Sequence, residues 1–292
     1  MDRRIIELYD RFTHGAMDRR SFLERLARLA GGTVAASALL PMLEYDYARA
    51  QIVPESDPRI ATQAIKFPTA SGEIAGYLVT PKAGGKRPTV IVIHENRGLN
   101  PHIKDITRRV AAEGFVALGV DYLSLVGGTP DPYDDDKARE AFAKVTPDMA
   151  LPVSRGALAY LKTHAASNGK VGAIGFCWGG GAVNNLAVAD PTLDCGVPFY
   201  GRQPPAERVA EIRAPLMLQY AGNDGNINPG IAAYEAALKA NGKSYELFVY
   251  EGTEHGFNND TAGVRYNKAA ADLAWGRTIA FFKKHLGAPS GA

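Results

Sequence analysis

The sequence predicts an α/β fold in which helices cover both faces of a mostly parallel sheet. Short, continuous apolar runs rich in β-branched residues, such as PTVIVIHE at 88–95 and FVALGVD at 115–121, are typical of strands buried on both faces. Segments with the apolar spacing of helices separate these runs. Because strands that alternate with helices form parallel sheets with right-handed crossovers, the same pattern predicts the topology.

Length and composition allow one large α/β domain with a short additional segment. The chain has 292 residues, of which 46% are hydrophobic and 22% are charged. A net charge of +2 gives no reason to expect nucleic acid or an acidic membrane surface as a partner. Two cysteines, Cys177 and Cys195, are too few for a disulfide framework, and we expect no metal or other cofactor.

The first fifty residues differ in character from the rest. A twin-arginine pair in DRRSFL at 18–23 precedes a mildly apolar stretch of small residues at 26–43, and ARA follows at 48–50. This order is typical of a bacterial export signal that uses the twin-arginine route. We therefore expect residues 1–50 to be a signal, residues 51–292 to form the α/β domain, and the protein to be periplasmic or secreted.

An N-terminal helical extension that packs on the domain is the alternative for residues 1–50, and a cytoplasmic location goes with it. Arg3, Arg4 and the long polar lead before Arg19 favour this alternative. The apolar stretch is too short and too rich in glycine to predict a stable membrane span.

From residue 60 onward the pattern assigns each element in turn. An alternating stretch at 62–80, interrupted by Ser71 and Gly72, predicts an antiparallel hairpin that leads into the sheet. Further strands are predicted at 88–95, 115–121, 170–177, 195–200, 215–221 and 245–250, and helices at 102–113, 148–164, 178–189, 229–240 and 265–285. Reactive groups in such a fold belong at the carboxyl ends of the strands.

One strand-to-helix junction has the form of a nucleophile elbow. GFCWGGG at 175–181 matches G-x-Nuc-x-G, with Cys177 where serine is usual. Glycines are needed because side chains two residues either side of the nucleophile would clash in so sharp a turn. The free N–H groups of the following helix stabilise an anion there. This motif predicts Cys177 as a nucleophile on an α/β-hydrolase fold; a buried structural cysteine is the alternative.

Two further strand ends carry the residues that would complete a triad. Asp224 follows the strand at 215–221, and His255 follows the strand at 245–250. The chain order nucleophile, acid, histidine is that of α/β-hydrolases, in which the acid fixes the imidazole tautomer. Glu254 is a rival for the acid, but a residue adjacent to His255 is poorly placed to support its ring.

The strand at 88–95 ends in a carboxylate. Glu95 is costly to bury unless it has a partner or a function, and Arg97 is the candidate partner. A catalytic role for Glu95 and a plain ion pair both stay open. The backbone N–H groups of Asn96 and Trp178 are the predicted oxyanion hole, because one follows the early strand and the other follows the nucleophile.

With Glu95, Cys177, Asp224 and His255 together, residues 60–286 resemble the dienelactone hydrolase family, the carboxymethylenebutenolidase-like branch of the α/β-hydrolases. The resemblance rests on VIHENRG, GFCWGG, AGNDGN and EHGF. It implies that Glu95 contacts the nucleophilic thiol and helps to form the thiolate when substrate binds.

The chain departs from the family in its arginines. The family holds the substrate carboxylate with two arginines, but DYLSL at 121–125 and FNND at 257–260 contain none. Arg97 is the remaining candidate for a positive charge, and Tyr122, Trp178 and Phe257 predict a partly aromatic pocket. We therefore expect neutral or weakly polar substrates to be preferred.

These observations predict a cysteine hydrolase of a small ester or lactone. A thioesterase or short-peptide hydrolase on the same fold is one alternative, because this fold hosts many acyl transfers. A binding protein without catalysis is another, although an intact Cys177, Asp224 and His255 set argues against it. The sequence does not indicate an oligomeric state.

Overall fold

The computed structural model describes residues 1–13, 15, 17–49 and 51–288. Ala50, which ends the predicted cleavage motif, lies outside these residues. Eight strands form one sheet across the described chain. They are Ile60–Thr69 (β1), Gly72–Pro81 (β2), Arg87–Ile93 (β3), Val116–Val120 (β4), Ser167–Phe176 (β5), Cys195–Phe199 (β6), Leu216–Asn223 (β7) and Tyr245–Glu254 (β8).

The sheet has the order β1-β2-β4-β3-β5-β6-β7-β8. The pairs β1–β2 and β2–β4 are antiparallel, and every other neighbouring pair is parallel. The predicted α/β-hydrolase fold with a mostly parallel sheet is therefore confirmed. The strand bounds differ most at β8, which extends four residues beyond the predicted end at residue 250.

Helices lie on both faces of the sheet. They are Arg3–Thr13 (α1), Arg19–Ala30 (α2), Thr33–Leu43 (α3), Pro101–Ala112 (α4), Asp135–Phe142 (α5), Pro147–Thr163 (α6), Trp178–Ala189 (α7), Ile231–Ala240 (α8) and Lys268–Leu286 (α9). One apolar core lies between the sheet and α6, α7 and α8, and the other lies between the sheet and α4 and α9. Both faces of the central strands are therefore buried, as their continuous apolar sequences require.

The helix α5 has no counterpart in the sequence-based prediction. It is eight residues long and begins within a run of three consecutive aspartates, of which the first is the N-cap and the other two occupy the first turn. A helix of this length shows too little apolar periodicity to be detected. Its N-cap, Asp134, accepts a hydrogen bond from the backbone N–H of Lys137 and so favours the helix start.

The helices α1, α2 and α3 have a small apolar core of their own. The rings of Phe12 and Phe22 stack at 4.5 Å between centroids, and Leu26 and Leu43 are fully buried beside them. Within the described residues, no single helix has the length and apolar composition to span a membrane. The helices α2 and α3 meet that test only as a pair, and they bend by 111° at the break between them.

Candidate active site

Cys177 lies at a sharp turn between β5 and α7, with a φ of 55°. The turn requires glycine on both sides. A Cβ on Gly175 would lie 2.1 Å from the carbonyl oxygen of Gly179, and one on Gly179 would lie 2.5 Å from the carbonyl oxygen of His94. The strained backbone raises the thiol to the carboxyl edge of the sheet, at the start of a helix, as the elbow motif predicts.

Asp224 and His255 meet at the same edge. Asp224 directly follows β7 and His255 directly follows β8, and both are more than nine-tenths buried. The Nδ1 of His255 lies 2.5 Å from Oδ2 of Asp224. The other carboxylate oxygen of Asp224 accepts hydrogen bonds from the backbone N–H groups of Asn226 (3.2 Å) and Ile227 (3.1 Å). The carboxylate is therefore held on both sides.

The imidazole of His255 is placed to carry a positive charge. Burial lowers the pKa of His255, but the charges of Cys177 and Asp224 and the side-chain hydrogen bonds to both raise it well above its ordinary value. A protonated imidazole between a carboxylate and a thiol stabilises the thiolate form of that thiol. The arrangement can therefore hold a reactive sulfur nucleophile near neutral pH.

A cleft of about 1070 Å³ opens above these residues. Cys177, His255, Asn96, Trp178 and Tyr200 all line it. The two residues predicted to supply the oxyanion hole thus lie in the same cleft as the thiol. Its size is at the upper end of the range usual for small-molecule sites.

A family model described as the dienelactone hydrolase family matches residues 74–286. The match spans the sheet from β2 to β8 and includes every residue of the site described above. The chain belongs to the dienelactone hydrolase family. A second family model, described as YqhI-like, matches residues 1–32 and so covers α1 and α2.

Several proteins are similar to this dienelactone hydrolase family member over most of its length. A Saccharolobus solfataricus protein named as a carboxymethylenebutenolidase is 32% identical over 256 residues, with 75% of this chain and 97% of the relative covered. A Bradyrhizobium protein named as a 2-oxo-3-(5-oxofuran-2-ylidene)propanoate lactonase is 31% identical over 240 residues, with 78% and 96% covered.

Solved structures agree with the family membership. A Klebsiella pneumoniae structure described as a dienelactone hydrolase superposes with a TM-score of 0.70 at 27% identity, and the match covers 77% of this chain and 99% of the other. A dienelactone hydrolase-like phosphotriesterase from metagenomic libraries shares the fold, with a TM-score of 0.67 at 22% identity and coverage of 78% and 100%.

The family glutamate, Glu95, lies buried just behind the cleft. Its Oε2 accepts a 2.9 Å hydrogen bond from the side-chain amide of Asn259. Arg97, the predicted partner of Glu95, instead pairs with Asp135 at 2.9 Å. The ion pair between Glu95 and Arg97 that the sequence left open is therefore not the one that forms.

The sequence predicts that four side chains contact substrate, namely Arg97, Tyr122, Trp178 and Phe257. Of these, Trp178 lines the cleft. Arg97, Tyr122 and Phe257 are 2%, 0% and 0% exposed and lie outside the cleft lining, so the structure does not bring them to the cleft surface. Tyr122 packs edge-on against Trp178 at 5.1 Å between centroids, and Phe257 packs against Tyr200 at 5.6 Å. These side chains support the cleft wall from behind.

Tyr200 is a cleft residue that the sequence analysis missed. It follows β6, has a φ of 36°, and its ring lies 4.9 Å from that of His255. Burial raises the pKa of Tyr200 well above its ordinary value, and the negative charges of Glu95 and Cys177 add to this effect, so the phenol keeps its proton. Its position at a strand carboxyl end was the signal that could have identified it.

The cleft is strongly basic. Among its described lining residues, one acid, Asp148, stands against five arginines. Three of the five lie near a carboxylate, namely Arg139 near Asp136, Arg155 near Asp190 and Arg208 near Glu211. Arg11 and Arg202 form no ion pair with a carboxylate in the described parts of the chain. The cleft therefore offers positive charge that the family positions lack.

Proposed function

We propose that this protein hydrolyses small esters or lactones, with Cys177 as the nucleophile and His255 and Asp224 as its proton-transfer pair. The observation that carries the proposal is the 2.5 Å contact between His255 Nδ1 and Asp224 Oδ2, beside a thiol on a strained elbow. A buried carboxylate, an imidazole and a nucleophile in this order are the arrangement that acyl transfer requires.

In the first half-reaction, the Cys177 thiolate attacks the carbonyl carbon of the ester and forms a C–S bond. The carbonyl π electrons move to the oxygen, and the backbone N–H groups of Asn96 and Trp178 are the proposed donors to this oxyanion. When the tetrahedral species collapses, the C–O bond to the alcohol breaks. The alkoxide takes a proton from His255 and leaves a thioester on the enzyme.

In the second half-reaction, His255, now neutral, takes a proton from water while the water oxygen attacks the thioester carbon. Collapse of this second tetrahedral species releases the carboxylic acid and returns the sulfur as thiolate. Asp224 accepts the Nδ1 hydrogen bond throughout, so that the imidazolium regenerated here is stabilised. The cycle therefore ends with the starting pair of charges, a thiolate and an imidazolium.

Support for esters and lactones comes from the relatives, one of which is named as a lactonase and another as a carboxymethylenebutenolidase. Hydrolysis of p-nitrophenyl acetate tests the proposal. We expect Cys177→Ala to abolish burst and turnover, and His255→Ala or Asp224→Asn to lower kcat at least about a hundredfold. Wild-type turnover by Cys177→Ala would overturn it. A panel of lactones, thioesters and peptides then identifies the preferred acyl group.

A further inference from the structure

The cap segment, defined as residues 1–13, 15 and 17–49, lies against the cleft that holds Cys177. The helix α1 ends at the cleft wall, where Arg11, Thr13 and Gly15 are among the lining residues. The end of α1 and the thiol therefore line one cavity, although the family model for the hydrolase domain begins only at residue 74.

Two hydrogen bonds join the end of α1 to the loops of the active site. The side-chain amide of Asn96 donates to the carbonyl oxygen of Thr13 at 2.6 Å. The side-chain amide of Asn226 donates to Oδ2 of Asp10 at 3.0 Å. The backbone N–H of the same Asn226 donates to Asp224 at 3.2 Å. One contact thus reaches the predicted oxyanion loop, and the other reaches the loop that carries the triad acid.

We propose that the cap segment is a working part of the active site, in which Asp10 is a positioning residue for Asp224. The proposal rests on the proposed function of Asp224 and His255. Asp10 fixes the Asn226 side chain, the Asn226 backbone holds one oxygen of Asp224, and the other oxygen of Asp224 holds His255. Asp10, Asp224 and His255 are buried, and the exposed Asn226 connects the first two. Loss of the contact between Asp10 and Asn226 therefore loosens the support of Asp224.

Two buried arginines of the hydrolase domain also contact aromatic rings of the cap segment. Arg265 and Arg97 are buried guanidinium groups of the domain, and both lie over the ring of Tyr45, at 4.7 Å and 4.6 Å from its centroid. Arg265 also lies 5.0 Å from the centre of the Tyr9 ring. Such aromatic partners stabilise a buried cation. Without the cap segment, Arg97 and Arg265 would lose them.

The proposal has a consequence for the charge state of the thiol. Among the described residues, Cys177, Asp224 and Tyr200 are the titratable groups that face the His255 imidazole, and the charge of Glu95 acts on Tyr200. If Asp224 is held less firmly, the imidazolium is less stable, and the thiolate that depends on it forms at higher pH. At high pH the thiol ionises without this help, so the effect disappears there.

The experiment measures the rate of Cys177 alkylation by iodoacetamide across a pH series, by mass spectrometry of the full chain. We expect Asp10→Ala to react about threefold to tenfold more slowly than wild type near pH 6 and at the wild-type rate near pH 9. Asp10→Asn keeps an acceptor oxygen for the Asn226 amide and should restore most of the rate. Glu7→Ala, an exposed residue of the same helix that pairs with Arg3, is the matched control.

A double-mutant cycle assigns the effect to the contact itself. Asn226→Ala should slow alkylation near pH 6 as Asp10→Ala does, and the double variant should be no slower than either single one. A wild-type pH profile for Asp10→Ala, or an equal slowing at every pH, overturns the proposal. If Asp10→Ala does not fold, a wild-type profile for Asn226→Ala overturns it instead. Alkylation needs no substrate, so the outcome is independent of whether the protein hydrolyses esters.

Discussion

Asn259 donates a 2.9 Å hydrogen bond from its side-chain amide to Glu95, and so ties the loop after β8 to the loop after β3. These are the two loops that carry His255 and Asn96. The bond therefore fixes the histidine side of the cleft relative to its predicted oxyanion side. It also leaves Glu95 buried and bonded, so the carboxylate has a structural role whether or not it acts on the thiol.

Glu95→Gln separates the charge of this residue from its shape. The glutamine can still accept the amide hydrogen of Asn259, so we expect little change in the unfolding midpoint. If the charge helps to form the thiolate, as the family resemblance implies, kcat/KM for a p-nitrophenyl ester falls about tenfold, or about 1.4 kcal/mol. An unchanged kcat/KM would show that Glu95 serves only to hold the two loops together.

The two cysteines are expected to differ completely in reactivity. Cys177 lies in the cleft, whereas Cys195 at the start of β6 is fully buried, and burial raises the pKa of its thiol far above the usual range. Iodoacetamide should therefore modify one site in the native protein, which peptide mass spectrometry identifies. Cys195→Ala should keep the wild-type kcat/KM and cost about 1 kcal/mol of stability. Inactivation by this variant would argue for a second functional thiol.

The sequence predicts which residues meet at the carboxyl edge of the sheet better than it predicts the wall of the cleft. Cys177, Asp224 and His255 follow strand ends, and parallel topology alone brings the carboxyl ends of strands to one edge. Whether a side chain points into the cleft depends on packing, which periodicity does not report. For this reason the sequence predicts Tyr122 and Phe257 in the pocket wall, whereas in the structure they pack behind it.

The cap segment shows a second kind of feature that the sequence pattern alone does not decide. The pattern DRRSFL followed by small apolar residues fits an export signal, and it fits equally the start of α2, where Asp18 caps the helix and Phe22 and Leu26 are buried. Composition cannot distinguish the two, because a basic pair followed by apolar residues is compatible with both. The apolar spacing of Ile5, Tyr9 and Phe12 was the signal for a packed helix.

The basic cleft changes the expected substrate preference. The family arginines are missing, but Arg11 and Arg202 line the cleft without a carboxylate partner in the described parts of the chain. We now expect an ester that carries a free carboxylate to have a kcat/KM about fivefold above that of its neutral methyl ester, rather than the reverse. The preference should fall in 0.5 M salt, to a level of about twofold, because exposed charges are screened.

Two variants test this electrostatic account. Arg11→Ala and Arg202→Ala should each lower kcat/KM for the charged ester about threefold and leave the neutral ester within error. Arg3→Ala, at the opposite end of α1 and outside the cleft lining, is the control for net charge. An equal loss of kcat/KM for both esters would mean that the arginines shape the cleft and do not bind the substrate carboxylate.

Asp260 makes a pH-dependent contribution to stability. Burial alone would raise the pKa of Asp260, but the hydrogen bond and charge of His102 and those of Arg109 lower it from 3.8 to about 2. This lowering of the pKa corresponds to roughly 2 kcal/mol of unfolding free energy. Because the folded-state pKa is the lower one, this stability is complete above pH 3.8 and is lost as the pH falls through about 2.

Asp260→Asn removes that contribution. Urea unfolding at pH 7 should give a free energy of unfolding about 2 kcal/mol below that of the wild type. The unfolding free energies of the two proteins should converge as the pH approaches about 2. Asp272→Asn, in an exposed ion pair with Lys268, serves as the control and should change stability by less than about 0.5 kcal/mol. A difference that persists unchanged to acid pH would assign the loss to packing and not to charge.

The last prediction concerns the N-terminus of the protein in its native cell. Cleavage near residue 50 would remove Asp10 and Thr13 from the active-site loops and Tyr45 from two buried guanidinium groups. We therefore expect the working enzyme to retain residues 1–49, as intact-mass measurement on native material would reveal. Replacing Arg19 and Arg20 by lysine tests export separately, since lysine keeps the positive charges that pair with Asp136 and Glu24, and the cap can stay docked. An N-terminus near Gln51 on active native protein would contradict the cap and support a cleaved signal.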